Sequence, residues 1–380
     1  MNKLLSRVFV LSVSFLLSFT ACAKPSGGEA SIVQSLYGTM PNGELVTQYV
    51  LTNTNGVEAT IITYGGIITS LKTLDKNGKL GDIVLGYDNL EGYIADSNYF
   101  GALIGRYGNR IGKAQFSIEG KTYQLEVNDG ENHLHGGFKG FDKKNWNATA
   151  FKIDGEVGLK MELFSPDGEQ GYPGNVTTQV VYTLKNSNEL VMDYMAITDK
   201  PTHINMTQHS YFNLAGDGSI LDHQLTIPAD SITPVDKGLI PTGALDKVEN
   251  TPFDFRKATA VGKRIDVKNP QLAFGLGYDH NFVLNKSEEG AFELAAKVVE
   301  PKTGRVLEIF SEEPAIQFYS GNFLNGTAKG KGQTYEHRTG FCLEPQHFPD
   351  APNQTNFAST LVKPGEVYST RMSYRFSAVK

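Results

Sequence analysis

The feature that most constrains this chain is the period of its hydrophobic pattern. After residue 30 no segment sustains a 3.6-residue repeat, whereas alternation with a period of two recurs along the whole length. Val176, Val180, Tyr182 and Leu184 alternate with Thr177, Gln179, Thr183 and Lys185. Beyond the polar turn Asn186-Ser187-Asn188 the alternation resumes with Leu190, Met192 and Tyr194, which predicts a β-hairpin. Ala114–Val127 predicts another, turning at Glu119-Gly120-Lys121, and Phe292–Phe310 a third, around Pro301-Lys302-Thr303-Gly304. Val367–Ala378 reads as a last strand. The turns are supplied by 40 Gly and 16 Pro among 380 residues, roughly 15% of the chain against a usual ~12%. Closely spaced turns between alternating strands predict an all-β fold, a large antiparallel sandwich or barrel. Short helices are expected only around Asn89–Tyr93 and Arg256–Val261.

Length alone would allow two or three domains, but all-β units run to about 200–250 residues or more. With no internal repeat, low-complexity tract or linker after the N-terminal region, one β domain over residues 32–380 is the economical reading. A hydrophobic share of 40% with 20% charged residues excludes a disordered chain, a multi-span membrane protein and a coiled coil. The formal charge of −6 lacks the basic footprint that phosphate neutralisation needs, so no nucleic-acid partner is expected. Two cysteines cannot staple a fold of this size.

Residues 1–21 read as an export signal. Lys3 and Arg7 precede an apolar run from Val8 to Phe19, too short for the about 20 residues that span a bilayer. Two cleavage readings stand. Phe19-Thr20-Ala21-Cys22 resembles a bacterial lipobox, in which Cys22 is lipidated and becomes the new N-terminus. Ala21-Cys22-Ala23 also fits an A-x-A site that would release a soluble protein. Residues 22–31, with Lys24-Pro25-Ser26-Gly27-Gly28-Glu29-Ala30, read as a flexible tether. The lipobox reading is preferred: a periplasmic protein whose membrane contact is a lipid on Cys22. Losing Lys3 and Arg7 with the leader takes the formal charge from −6 to −8. Cys342, in Phe341-Cys342-Leu343, then remains as a small buried hydrophobe.

The phosphate-binding, zinc-protease, redox and serine-hydrolase motifs G-x-x-x-x-G-K-[ST], H-E-x-x-H, C-x-x-C and G-x-S-x-G are all missing. The glycines at 101, 105, 108 and 112 do not have dinucleotide spacing. The chemistry must lie in polar residues in awkward places. His133-Leu134-His135-Gly136-Gly137 puts two imidazoles at i and i+2, on one face if the chain is extended. That spacing suits a metal, but no further ligand cluster accompanies it; a loop histidine or a binding site opened by the two glycines are the other readings. His209 interrupts an apolar-aromatic strand, where a core histidine and a functional one are equally reasonable. Alternation sends Phe341 and Leu343 to one face and Cys342 and Glu344 to the other, so Glu344 is either a solvated outer-face carboxylate or a desolvated base. Arg110 and Asp279 each read alone as salt-bridge residues. As a set, these groups suit recognition of a polyol with acid–base work on it.

Eight stretches in order resemble those of one family, the aldose 1-epimerases or galactose mutarotases. They are Gly105–Ile111, Leu134–Lys143, Ser165–Gly174, Thr207–Gly216, Leu239–Gly243, Gly277–Phe282, Gln317–Phe323 and Gly340–Glu344. The resemblance spans roughly residues 35–378. It implies a large galactose mutarotase-like β-sandwich with an open concave sugar cleft, acting as a monomer without cofactor or metal on free hexoses such as galactose and glucose. It also implies roles: Glu344 as catalytic base, His209 as catalytic acid, and His135 as a hydrogen-bonding neighbour near the sugar's ring oxygen. Asn109, Arg110, Asp279 and Gln317 would form the hydroxyl-binding set; His133 stands outside the matching element and receives no role. Three other readings compete: a glycoside hydrolase using Glu344 and Asp279, a non-catalytic sugar-binding lipoprotein, and a sugar-phosphate epimerase, for which no extra basic residues are found.

Overall fold

A computed structural model describes residues 28–95 and 98–379. The leader and Cys22 lie outside the described residues. The tether expected through residue 31 gives way to ordered chain sooner: Ala30 is buried, Glu29 pairs with Lys152 and a strand begins at Ser31.

Antiparallel sheets make up the molecule. The largest has nine strands, in spatial order Asn147–Ile153, Glu156–Ser165, Val176–Lys185, Glu189–Thr198, Tyr368–Ala378, Arg305–Ser311, Glu293–Val299, Gln224–Thr226 and Thr259–Ala260. The three hairpins expected from alternation are all present, the first with Val180 opposite Tyr194 and Tyr182 opposite Met192. A six-stranded sheet runs Tyr211–Phe212, Phe341–Gln346, Ala315–Tyr319, Asp279–Leu284, Ala229–Ile232 and Asp246–Lys247. The N-terminal strands Ser31–Thr39 to Leu80–Asp82 form a five-stranded meander. Inner faces of the sheets meet in one core, where Tyr182, Met192 and Tyr374 join Phe212, Phe318 and Phe341. Phe212 sits edge-on to Tyr374 with ring centroids 5.2 Å apart, tying the six-stranded sheet to the nine-stranded one.

The helix expected near Asn89 is Leu90–Ala95. The one expected over Arg256–Val261 is instead a strand end, Thr259–Ala260, leading into a 3-10 turn at Val261–Lys263. Pairing of Thr259 with Leu225 completes the sheet edge there and overrides local preference. A helix does form at Pro270–Gly275, started by proline in the first turn and by Asn269, whose side chain accepts from the Gln271 and Leu272 amides.

In the six-stranded sheet parity divides two jobs. His280, Phe318 and Leu343 form one rung, and Phe282 and Ile316 the next on that face; apart from His280 they enter the core. On the other face Asp279, Tyr319, Cys342 and Tyr211 make one rung, and Asn281, Gln317 and Glu344 the next. That second face is covered by shorter pieces of chain and becomes the floor of a cleft.

Candidate active site

Two small two-stranded sheets complete the cleft. Ala102–Ile104 pairs with Thr207–His209, and Arg110–Ile111 pairs with His133–Leu134. The resulting cleft, of about 260 Å³, is lined by Asn98, Tyr99, Asn109, Arg110, Asp129, Leu134, His135, His209, Tyr211, Asp279, Gln317, Tyr319, Phe323 and Glu344. All seven residues singled out in the sequence for the sugar site, Glu344, His209, His135, Asn109, Arg110, Asp279 and Gln317, converge on this one place.

The polar floor is buried. Glu344 is 2% exposed and His209 5% exposed, which removes the solvated reading of the carboxylate. His209 Nε2 lies 3.5 Å from Glu344 Oε2. Burial holds the Glu344 carboxyl well above the usual carboxylate range, reinforced by the charge of Asp279 and opposed by Arg110. Burial also pulls His209 down to about 4, against hydrogen bonding to its own backbone. Both groups are pushed toward their neutral forms, so between them they hold one titrating proton; Glu344 Oε2 itself is buried with no hydrogen-bond partner among the described residues.

The imidazole pair expected at 133 and 135 does not share a face. His135 adopts a positive φ of 51°, so the extended chain ends there. His133 Nδ1 lies against the Glu126 carbonyl at 2.6 Å and Nε2 against the Tyr172 hydroxyl at 2.8 Å, a satisfied core histidine. His135 turns the other way, with ring centroids 4.7 Å from Tyr99 and 5.0 Å from His209. Gly136 makes this possible: its φ is 83°, and a Cβ there would stand 1.9 Å from the Gly105 carbonyl oxygen. The close approach anticipated for the glycine pair is thus backbone on backbone at Gly136, and backbone on the Gln170 side chain at Gly137.

Asn109 and Arg110 hold the opposite wall. The Asn109 amide N–H donates to His135 Nδ1 at 3.1 Å, and its side-chain oxygen accepts from the Arg110 amide at 2.8 Å. Arg110 Nε donates to Asp129 at 2.7 Å, while its Nη1 lies 3.9 Å from Asp279. Gln317 Nε2 donates to Asp279 Oδ1 at 2.7 Å, and Gln317 Oε1 is buried with no protein partner. Asp279 is raised by burial, an effect that Arg110 and Gln317 partly offset. Planar donors and carboxylates spaced around a buried acid–base pair are what a polyhydroxylated ring needs.

Ligand atoms of His135, His209 and Glu344 all fall within 4.8 Å of one another, a spacing that could hold a metal ion. The donor chemistry argues against one. Because Nδ1 of His135 accepts the Asn109 N–H, its ring proton sits on Nε2, which is then a donor rather than a ligand.

Seven lining residues were given no role from the sequence: Asn98, Tyr99, Asp129, Leu134, Tyr211, Tyr319 and Phe323. Tyr211 and Tyr319 lie two residues beyond His209 and Gln317, so alternation already put them on the same face. Tyr99 reaches the site through a positive φ of 61°, and Asp129 from a turn; neither carries a periodic signal.

The aldose 1-epimerase family model matches residues 47–375, most of the chain. Galactose mutarotase from Rattus norvegicus is 44% identical over 350 residues, covering 91% of this chain and 99% of that protein. Aldose 1-epimerase from Escherichia coli (strain K12) is 37% identical over 341 residues, covering 89% and 97%. Among solved structures, galactose 1-epimerase from Lactobacillus acidophilus NCFM superposes with a TM-score of 0.82 at 27% identity, covering 92% of this chain and all (100%) of that one.

Proposed function

This chain belongs to the aldose 1-epimerase family, and from that premise we propose that Glu344 and His209 are the acid–base pair with which it interconverts the α and β anomers of free hexoses. It is an isomerase acting on carbohydrates, and its reaction is anomer exchange of aldoses. The observation that carries the residue assignment is the buried 3.5 Å contact between His209 Nε2 and Glu344 Oε2 on the floor of the cleft.

The chemistry follows from what that pair can exchange. With the shared proton on His209, Glu344 is a carboxylate able to take the proton from the anomeric hydroxyl while His209 protonates the ring oxygen. The C1–ring oxygen bond breaks and leaves an open-chain aldehyde. Rotation about C1–C2 presents the other carbonyl face. Glu344 then returns its proton to the carbonyl oxygen as His209 recovers its own from the attacking hydroxyl, and the ring closes as the other anomer. Nothing is oxidised and no group is transferred. Each proton transfer from a positioned group is worth roughly 10²–10⁴-fold.

The remaining groups hold the ring. His135, with its proton on Nε2, is placed to donate near the ring oxygen, while Asn109, Arg110, Asp279 and Gln317 take the other hydroxyls.

Polarimetry on freshly dissolved α-glucose and α-galactose tests the assignment. Glu344→Gln and His209→Asn are each expected to lose at least about a hundredfold in kcat while keeping the wild-type circular dichroism spectrum. Near wild-type mutarotation by either variant sinks it, and sugar binding without anomer exchange by the wild type would make the chain a sugar receptor.

We further propose that the protein is exported and held in the periplasm by a lipid on Cys22, on the strength of the leader and its lipobox-like end. The mass of the mature N-terminus checks this. An acylated Cys22 is expected, and an unmodified chain starting at Lys24 would show release as a soluble protein.

A further inference from the structure

Arg110 stands between two carboxylates and is bonded to the one not assigned to the sugar. Its Nε donates to Asp129 Oδ2 at 2.7 Å, whereas Nη1 stays 3.9 Å from Asp279 Oδ2, beyond hydrogen-bond reach. Asp129 is half-buried where it lines the cleft, and Asp279 is buried on the floor. We propose that Asp129 is a positioning residue for sugar binding: it holds the Arg110 guanidinium back from Asp279, so that both Arg110 and Asp279 stay open to hydroxyls of the hexose. The inference rests on Arg110 and Asp279 being hydroxyl-binding residues.

The fold fixes Asp129 before any sugar arrives. Asn128-Asp129-Gly130-Glu131-Asn132 is a tight turn in which Asp129 and Asn132 exchange both backbone hydrogen bonds, at 3.1 and 2.8 Å. Gly130 supplies the positive φ of 62° within it. Asn128 clips the turn to Leu134: its Nδ2 donates to the Leu134 carbonyl at 2.9 Å, and its Oδ1 accepts from the Leu134 amide at 2.7 Å. Leu134 is also the residue paired with Arg110 in the two-stranded sheet. Both members of the ion pair are thus fastened to one residue.

What the anchor prevents follows from the charges. An unrestrained guanidinium this close to a buried carboxylate closes onto it as a fork, making two parallel bonds. That fork would consume the Nη groups and the Asp279 oxygens that the hydroxyls need. Among the described residues Nη1 and Nη2 make no hydrogen bond, while Asp279 Oδ1 accepts from Gln317. Engaging Nε leaves the Nη groups free and sets a second negative charge against the pull of Asp279. The same contest shows at Asp279, which burial raises, Arg110 and Gln317 lower, and Asp129 raises again.

Initial rates by polarimetry on α-galactose, with full-length variants, test this. Asp129→Ala is expected to raise KM roughly 5–50-fold with kcat changed less than about threefold, the pattern of lost binding common to ground and transition states. Asp129→Asn keeps an oxygen acceptor for Nε without the charge and is expected to lie between Asp129→Ala and the wild type. Arg110→Ala is expected to be impaired, and adding Asp129→Ala to it to cost nothing further, because Asp129 acts through Arg110. Should Asp129→Ala not fold, Asp129→Asn carries the same reading with a smaller rise in KM. Wild-type KM in Asp129→Ala overturns the proposal, as do an equal fall in kcat and kcat/KM and an Asp129→Asn variant no better than Asp129→Ala. A further loss in the double variant overturns it too, by showing that Asp129 touches the sugar itself. Wild-type kcat/KM in Arg110→Ala removes the binding role of Arg110 and the inference with it, whereas an impaired Arg110→Ala beside an unimpaired Asp129→Ala overturns the inference alone.

Discussion

At the scale of single residues, the pH dependence of the reaction follows from two opposed shifts in one pair. Glu344 is raised and His209 is lowered to about 4, so between those limits the pair carries one proton, the state that supplies a base and an acid together. A second proton enters as pH falls through about 4 and removes the base. The only proton leaves as pH rises through the elevated Glu344 value and removes the acid. kcat is therefore expected to hold a broad plateau, falling about tenfold per pH unit below ~4 and again on the alkaline side. Asp279 is one of the charges that raise Glu344, so Asp279→Asn moves the alkaline limb to lower pH. Initial rates by polarimetry from pH 3.5 upward check both limbs; an acid limb centred near 6.5, the ordinary histidine value, would contradict the buried neutral His209. The residues of this pair could be found in the sequence, but not their state. Alternation put Glu344 opposite the core residues Phe341 and Leu343, and only the chain segments folded over that face decide that it is buried.

Single elements explain which sequence signals survived. The hairpins were legible because a period of two and a polar turn are both local. The site wall at residues 133–137 was not, because one residue in the left-handed region, His135 at φ 51°, cancels the alternation and sends His133 and His135 to different places. Gly136 fixes that bend. Gly136→Ala would put a methyl 1.9 Å from the Gly105 carbonyl oxygen, in a backbone region with φ at 83°. Gly168 has the same φ of 83° with nothing within 4 Å, so its alanine variant isolates the cost of the backbone conformation, about 1–2 kcal/mol. Gly136→Ala is expected to lose clearly more stability than Gly168→Ala in urea melts. It is also expected to lose activity, because the displaced loop carries His135. Equal stability of the two variants would show that the Gly105–Gly136 approach relaxes without cost. The same contrast explains the misplaced helix: Arg256–Val261 had local helical character, but the sheet needed Thr259 as a partner for Leu225.

The whole molecule shows a long-range dependence that no local pattern carries. The C-terminal strand was legible as a strand. Its place was not. Tyr368–Ala378 lies fifth among the nine strands, pairing with Glu189–Thr198 on one side and Arg305–Ser311 on the other. This strand therefore joins two halves of the largest sheet, and Met372, Tyr374 and Phe376 are buried in the common core. Burial of such side chains contributes roughly 1.5–3 kcal/mol each, against a net stability for a domain of about 5–15 kcal/mol. Removing the strand also exposes two inward edges with unpaired backbone groups, which favours aggregation. A chain ending at Lys363 is thus expected to give no soluble folded protein. A chain beginning at Gly28, by contrast, keeps Glu29 paired with Lys152, the buried Ala30 and every cleft residue, and is expected to fold and to catalyse mutarotation at the full-length rate. Soluble yield, circular dichroism and polarimetry on the two truncations decide the matter. A soluble, native-like protein lacking residues 364–380 would mean that the two halves of the sheet are stable without the strand between them.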